Sequence, residues 1–452
     1  MARKFKTADY EKTLDLQITL RDILPPKHLA RFIVDVVAQL DLSKIYKKYR
    51  DQGAPAYAPE VLLGLLFYGY GTGVFSSRKI ERATYEVIPF RFIAGNMHPD
   101  HDTIAHFRRQ NLTELKELFV QILLIAQAMG HLQLGNVSLD GSKIHADASK
   151  SKAVSYKRLL AIEAYLQAEV AELFTLAEAA DGGHFPEEMT ISDEIERRQV
   201  QLARLAEAKK VLEERAQARY EAEKAEYEAK QQVRAEKAAQ KGQKPGGKQP
   251  KPPVPGPRPK DQYNFTDPQS RIMKNATDNG FDQHYNVQVV VDHDSLLVVG
   301  DWLCNQTNDK QAALPTIDTI PIPLGRPKTA NLDTGYFSSQ NIAGLEARGI
   351  DPYIATGRSP HHQGWRTYFR TNPAPLPDNA SPKEQMAYKL RTKIGDALYR
   401  LRKSTVEPVI GIIKEILGFR QFSLRGLVAA SGEWTLVCIA YDLKRLHTLQ
   451  IG

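Results

Sequence analysis

The chain has 452 residues, 42% hydrophobic and 25% charged, the balance of a globular protein of about two to four domains with a sizeable core. Two cysteines, Cys304 and Cys438, exclude a disulfide framework or a cysteine-rich zinc site and fit a reducing cytosol. MARKFKTADYEKT lacks an apolar leader, and no apolar run reaches the roughly 18 residues a membrane span needs, so secretion and membrane spanning are set aside.

Lys+Arg is 61 against 53 Asp+Glu, a net charge of +8. Six of those charges fall in residues 240–260, on Lys241, Lys244, Lys248, Lys251, Arg258 and Lys260. Overall pI is therefore a weak pointer to nucleic acid. A second basic cluster, Lys389 to Arg425, lies in a segment that reads as folded helix. It offers either a phosphate-neutralising face or an ordinary solvated one.

Residues 1–130 read as helical. KHLARFIVDVVAQL places Leu29, Phe32, Ile33, Val36, Val37 and Leu40 at helical spacing. Pro59 suits the first turn of the next helix. SSRKIERATYE, DTIAHFRRQNL and LTELKELFVQILLIAQAMG follow. Short helices joined by turns fit a helix-turn-helix DNA reader and a plain bundle equally. Arg78, Lys79, Arg82, Arg108 and Arg109 are candidate phosphate contacts, with simple exposure the plainer reading of each.

NVSLDGSKIHADAS alternates like a strand running into a hairpin. Residues 153–180 then carry Tyr156, Leu159, Leu160, Leu166, Val170, Leu173 and Phe174 on a helical stripe. Residues 190–239 are rich in Glu, Lys, Ala and Arg, with Ile195, Leu202, Leu205 and Leu212 at heptad-like steps. The pair suggests an antiparallel helical hairpin, followed by a Pro/Gly/Lys-rich linker. Strand signals resume at HYNVQVVVDHDS and LLVVGDWLC. A helical DKQAALPTIDTI, a strand in RPKTANLDTGYFS, a helix in SQNIAGLEARGI and a strand in DPYIATG come next. A basic helical region at 383–417 and a final helix, TLVCIAYDLKRLHTLQ, complete the order. Early strands followed by alternating helices and strands predict a mixed α/β sheet.

Three acids stand out: Asp140 before Gly141 in the first strand, Asp333 at a strand end, and Glu407 in the basic helical segment. Strand ends of α/β sheets gather polar site residues. Converging carboxylates need a cation between them, and hard oxygen ligands favour Mg²⁺ or Mn²⁺. Two such ions can activate a water or a 3′-hydroxyl and stabilise the leaving oxygen of a phosphodiester. Taken singly, each acid reads more simply as a turn residue, a helix cap or a helix glutamate. Asp147, Asp292, Asp294 and Asp301 are rivals. Lys414 lies seven residues after Glu407, two helical turns on, although Pro408 either starts or kinks that helix.

YRLRKSTVEPVIGIIKEILGFRQFSLRG resembles the signature block of the DDE transposases of bacterial insertion sequences, in the branch marked by a Tyr-Arg-Glu-Lys motif. SLDGSKIHADASK resembles the first-Asp strand of that group and ANLDTGYFSSQNI its second. TDPQSRIMKNATDNGFDQHYNVQVVVD resembles its middle block, and residues 17–112 are similar to its InsH-type N-terminal domain. The resemblance leaves out 151–260.

The resemblance implies an α/β chain with an all-α N-terminal domain and, as catalytic core, an RNase H-like mixed sheet, into which the helical hairpin read from the apolar stripes is inserted. The expected boundaries are 1–130 for the DNA-binding helices, 131–150 and 261–452 for the core, 151–240 for the hairpin and 241–260 for the linker. Asp140, Asp333 and Glu407 match the metal-binding triad, for Mg²⁺ or Mn²⁺. Arg400, Arg402, Lys403 and Lys414 are expected at DNA. The usual spacing back from Glu407 lands on Arg400 and Lys403, with Tyr399 and Arg402 each one residue off. The implied activity is cleavage and transfer of double-stranded DNA at the element's terminal inverted repeats and at target DNA. The expected setting is a homodimer in the bacterial cytoplasm, on the nucleoid when bound to DNA. Trp302, Trp365 and Tyr336 are candidates for stacking on an extruded base, with packing the simpler reading. The alternative function is a catalytically inactive DNA-binding protein on the same fold.

Overall fold

The protein is described from a computed structural model covering residues 19–49, 56–180, 191–241, 249–275, 280–357, 373–377 and 379–451. Trp365, residues 181–190 between the two expected hairpin helices and residues 242–248 of the expected linker lie outside the described residues. The N-terminal part comprises α1 (Leu20–Ile23), α2 (Leu29–Val37), α3 (Ser43–Tyr46), α4 (Pro59–Gly71), α5 (Ser77–Glu86), α6 (Ile88–Ile93), α7 (His101–Gln110) and α8 (Leu112–Ala128). Next come β1 (Asn136–His145), β2 (Ala153–Ser155), α9 (Tyr156–Ala180), α10 (Ile191–Lys241), β3 (Gln262–Asn264), β4 (Arg271–Lys274), β5 (Phe281–Asp292) and β6 (Val298–Cys304). The last part holds α11 (Ala313–Ile317), β7 (Thr329–Leu332), α12 (Ser339–Glu346), β8 (Asp351–Ile354), α13 (Pro382–Arg391), α14 (Lys393–Gly411) and α15 (Leu427–Ile451).

The chain divides into two compact units, one of residues 1–144 and 285–452, the other of 145–284. In the first, strands lie in the order β6-β5-β1-β7-β8. β5 and β6 are antiparallel, while β1, β7 and β8 are parallel. His293 donates its backbone N–H to the Asn136 carbonyl, and Gly141 lies against the Gln288 side chain. Residue numbers thus rise on β1 as they fall on β5, so that pair is antiparallel. The result is a mixed sheet. The parallel neighbours β7 and β8 are joined through the helix α12, the kind of crossover that parallel strands require.

α15 is the core helix of this unit. Residues from Ala430 to Leu443 are buried almost without interruption, because α4, α8 and β6 all pack on it. α4 is itself apolar on nearly every side, the signature of a buried helix, and buries Leu62 through Gly71. Gly432 lets α8 come close: a Cβ there would lie 2.6 Å from Leu112 Cβ. The N-terminal helices therefore share a core with the sheet. Among the described residues, no helix is long and apolar enough to cross a membrane.

In the second unit, β2 and β3 pair antiparallel with Ser155 opposite Gln262. The chain that leaves for α9 thus returns beside its point of departure. Tyr156 meets Glu213, Lys209 meets Glu163 and Arg198 meets Glu169, so α9 and α10 run antiparallel. Their core is Leu159, Leu166, Leu205, Ala208 and Leu212, with Val154 and Tyr263 from the strands. Leu160 and Phe174, expected on the same stripe, are exposed. β4 pairs with the first residues of β5. β2, β3 and β4 have three or four residues each, too short to leave a periodic signal. The expected helix DKQAALPTIDTI shrinks to the five residues of α11.

Candidate active site

β1 and β7 align in parallel, with Leu139 opposite Leu332. One residue further along each strand stand Asp140 and Asp333. Successive side chains alternate between faces, so Ser138, Asp140 and Ser142 share one face with Asn331 and Asp333. α14 covers that face. The Asn331 amide donates to the Leu398 carbonyl at 2.7 Å, and Thr405 Oγ1 donates to Ser138 Oγ at 3.0 Å. Thr392 caps the helix by accepting from Gly395 N. The helix continues through Pro408 to Gly411 and then widens into a π-helical turn, Ile412–Ile416.

This geometry brings the three acids together around Arg402. The guanidinium lies 2.7 Å from Asp140, 2.9 Å from Glu407 and 3.7 Å from Asp333. Its side chain is 10% exposed, against 22% for Asp140, 50% for Asp333 and 46% for Glu407. Asp140 is thus the floor of the site and the other two line its mouth. Burial pushes the Asp140 carboxyl up to about 6, Asp333 adds to the rise, and Arg402 and the Gly141 N–H oppose it. Tyr399 hydrogen-bonds Arg402, and burial raises its phenol above the ordinary range. Lys414 Nζ donates to Ser142 Oγ at 3.2 Å, which brings it to the face of Asp140. It gets there through the π-helical turn rather than two regular turns, a distortion frequent at functional sites.

Gly141 is no turn residue: it lies inside β1. An added Cβ would sit 2.2 Å from Gln288 Nε2, so the small residue makes room for a neighbouring side chain. The rival acids have other partners. Asp292 accepts from Ser295 N and Oγ, and Asp301 accepts from Thr435 Oγ1 at 2.8 Å. Asp147 belongs to the other compact unit.

The basic residues separate clearly. Arg402 and Lys414 face the acids, whereas Arg400 pairs with Asp396 one turn earlier and Lys403 is exposed. In the N-terminal part, Arg78, Lys79 and Arg109 are exposed, and Arg82 pairs with Glu86. Arg108 is not a phosphate contact in this fold. It is buried, donates to Tyr70 Oη at 2.6 Å and lies 3.8 Å from the fully buried Glu433. Tyr336 is likewise no stacking platform: it is 1% exposed, and its hydroxyl donates to Gln288 Oε1. Trp302 pairs with Gln288 across β5 and β6.

Sequence reasoning passed over Gln288, Asn286, Asp309 and Ser142. A signal for the first two was present. Asn286 and Gln288 are polar residues two apart in a valine-rich strand, so they share one face of a buried sheet.

The donor set fits a divalent cation in its chemistry. Three carboxylates gather around the Arg402 guanidinium, and the most buried one, Asp140, is pushed toward its neutral form by burial. Among the described residues, no three such ligands stand in coordinating positions as they are. The Arg402 guanidinium occupies the space between them.

Residues 18–110 match the family described as "Transposase domain (DUF772)", and residues 253–443 match "Transposase DDE domain". Together they cover more than half of the chain. A protein of Burkholderia cepacia, named for the transposase of insertion sequence element IS402, is 40% identical over 68 residues, 14% of this chain and 32% of the relative. The chain thus spans about a third of that relative's length. No solved structure matches the chain.

Proposed function

We propose, on the premise that this chain belongs to the DDE transposases of insertion sequences, that it binds the ends of its element and catalyses DNA strand cleavage and strand transfer. The observation that carries this reading is the convergence of Asp140, Asp333 and Glu407 from three distant segments on one guanidinium, that of Arg402. On this reading the sheet, with three antiparallel strands followed by two parallel ones, is an RNase H-like core. The N-terminal helices contact DNA, and α9 and α10 form an inserted arm. Pairing two element ends calls for a homodimer on DNA, in the bacterial cytoplasm and at the nucleoid.

Asp140, Asp333 and Glu407 would hold the Mg²⁺ or Mn²⁺ ions that such domains use. Bound there, the ions supply an activated oxygen nucleophile and neutralise charge on the leaving oxygen. Arg402 is the group that must leave the acids, and a guanidinium displaced from carboxylates is well suited to a phosphate. Lys414, held by Ser142, offers a second point of backbone contact. Arg400 and Lys403 flank Arg402 on α14 as outer contacts. Phosphate contacts of this kind fix register and orientation without reading sequence. In the first step water attacks the phosphorus, the bond to the 3′-oxygen breaks, and a 3′-hydroxyl is freed. In the second that hydroxyl attacks a target phosphodiester, displacing another 3′-oxygen. Both displacements use the same acidic site.

The test is Mg²⁺- or Mn²⁺-dependent cleavage of DNA carrying the inverted repeats that flank the coding sequence. Asp140→Ala, Asp333→Ala and Glu407→Ala are each expected to abolish cleavage while retaining end binding. Binding without cleavage by the wild type would make the chain an inactive DNA-binding relative. Cleavage that survives the Asp140 or Asp333 change would refute this triad.

A further inference from the structure

The ladder between β1 and β7 ends at Leu139 and Leu332. The two aspartates that follow lie beyond it, so strand pairing does not by itself fix their separation. On the opposite face of the sheet a buried polar network spans the gap. Gln288 is 0% exposed and its carboxamide fills the space left by Gly141. Its Nε2 donates to Asp309 Oδ1 at 2.9 Å and to Asn286 Oδ1 at 3.0 Å. Its Oε1 accepts from the Tyr336 hydroxyl. Burial raises the Tyr336 phenol well above its ordinary range, so it remains a donor.

Tyr336 ends the tight turn that Asp333 begins, and its N–H donates to the Asp333 carbonyl at 3.1 Å. Asn341 holds the other side of the turn, donating to the Tyr336 carbonyl at 2.6 Å. One carboxamide is therefore wedged under the residue after Asp140 and bonded to the turn that carries Asp333. An amide is suited to this place because it donates twice and accepts at once.

We propose that Gln288 is a positioning residue: through Gly141 on one side and Tyr336 on the other, it sets the spacing of the Asp140 and Asp333 carboxylates. This rests on the reading of those acids as metal ligands. A buried outer partner of this kind governs metal affinity without touching the ion.

Mn²⁺ binding, read by electron paramagnetic resonance of the free ion, tests the role without reference to turnover. Tyr336→Phe and Gln288→Met should each weaken Mn²⁺ binding by roughly tenfold or more, with end-DNA binding kept within about twofold. Tyr441→Phe is the control. It removes another buried hydroxyl, one that donates to the Leu296 carbonyl at 3.0 Å, and should lower the melting temperature while leaving Mn²⁺ binding unchanged. Mn²⁺ binding in Tyr336→Phe equal to that in Tyr441→Phe would overturn the proposal. So would a failure of both Tyr336→Phe and Gln288→Met to fold, which would make the network a fold determinant only.

A second arm needs no metal. Gly141→Ala pushes a methyl into the carboxamide, and Gln288→Ala removes the obstacle. The double variant should melt well above the sum of the two single losses, since contacting residues couple. Additive losses would overturn the wedge. Wild-type Mn²⁺ binding that Asp140→Asn does not weaken would instead sink the reading of the acids, leaving this second arm to decide the wedge.

Discussion

Arg402 shows how one side chain holds three others. Its guanidinium bridges Asp140 and Glu407 and reaches toward Asp333. Arg402→Gln would leave three carboxylates facing one another with no guanidinium between them. Removing one partner of a largely buried ion pair costs several kcal/mol, but Asp333 and Glu407 are half exposed. A net loss of about 2 kcal/mol in the metal-free protein is expected. A divalent ion should then raise the melting temperature of the variant more than that of the wild type, because it replaces the missing charge. Thermal unfolding with and without Mn²⁺ checks this, and an equal increment in both proteins would contradict it. The wild-type lysine and arginine spacing matters here too. Arg402 comes one position earlier than the motif spacing expects, yet it is the basic residue of α14 that meets the acids.

At the scale of elements, α14 delivers Arg402 and Glu407, and its start fixes where they fall. α13 ends and α14 begins within a residue of each other, and Gly395 makes that tight junction possible. A Cβ on Gly395 would lie 1.9 Å from the Lys389 carbonyl oxygen. That atom is backbone and cannot swing aside, so α13 and α14 would have to separate. Gly395→Ala is expected to cost about 2–3 kcal/mol, as overpacking does, and to lower cleavage further than stability alone explains. Urea unfolding beside single-turnover cleavage would show it, and unchanged stability would contradict the close approach. Parts of this level were legible in advance. Pro59 starts α4 as its first-turn position suggested, and the apolar spacing at Phe32, Ile33, Val36 and Val37 marks the buried face of α2. The strands β2, β3 and β4 were not legible, because three or four residues acquire strand geometry only from a partner. The direction of α14 past Pro408 was equally closed to sequence. Packing on β1 and β7 decides it.

At the scale of the whole molecule, acids in the core link stability to pH. Burial pushes the Asp301 carboxyl up to about 6, with the Thr435 hydrogen bond opposing the rise. Burial also raises Asp442 well above its ordinary value. An unfolded aspartate titrates near 3.9, so between about pH 4 and pH 6 the native state holds a proton that the unfolded chain has lost. The stabilisation is full below that window and is lost as pH rises through the folded value. For Asp301 the shift corresponds to roughly 3 kcal/mol. Asp301→Asn should flatten the fall in stability across this window, with Asp442 and Asp140, whose carboxyls burial also raises, supplying the remainder. Denaturation midpoints from pH 4 to 7 would test this, and a wild-type curve flat across the window would contradict it.

Local content was readable from residue order alone: helices at the N-terminus, a mixed set of strands, two long charged helices and three acids set beside turn and helix signals. Periodicity and turn chemistry act between near neighbours, so they are readable without a fold. Which acids meet followed from the fold. Asp140 and Asp333 become neighbours because β1 and β7 pair in parallel, and Glu407 joins them because α14 lies across that face. The same long-range packing turned Arg108 inward toward Glu433, buried Tyr336 against Gln288, and gave Asp292 and Asp301 partners of their own. Each of those outcomes depends on contacts between residues far apart in the chain, where spacing carries no information.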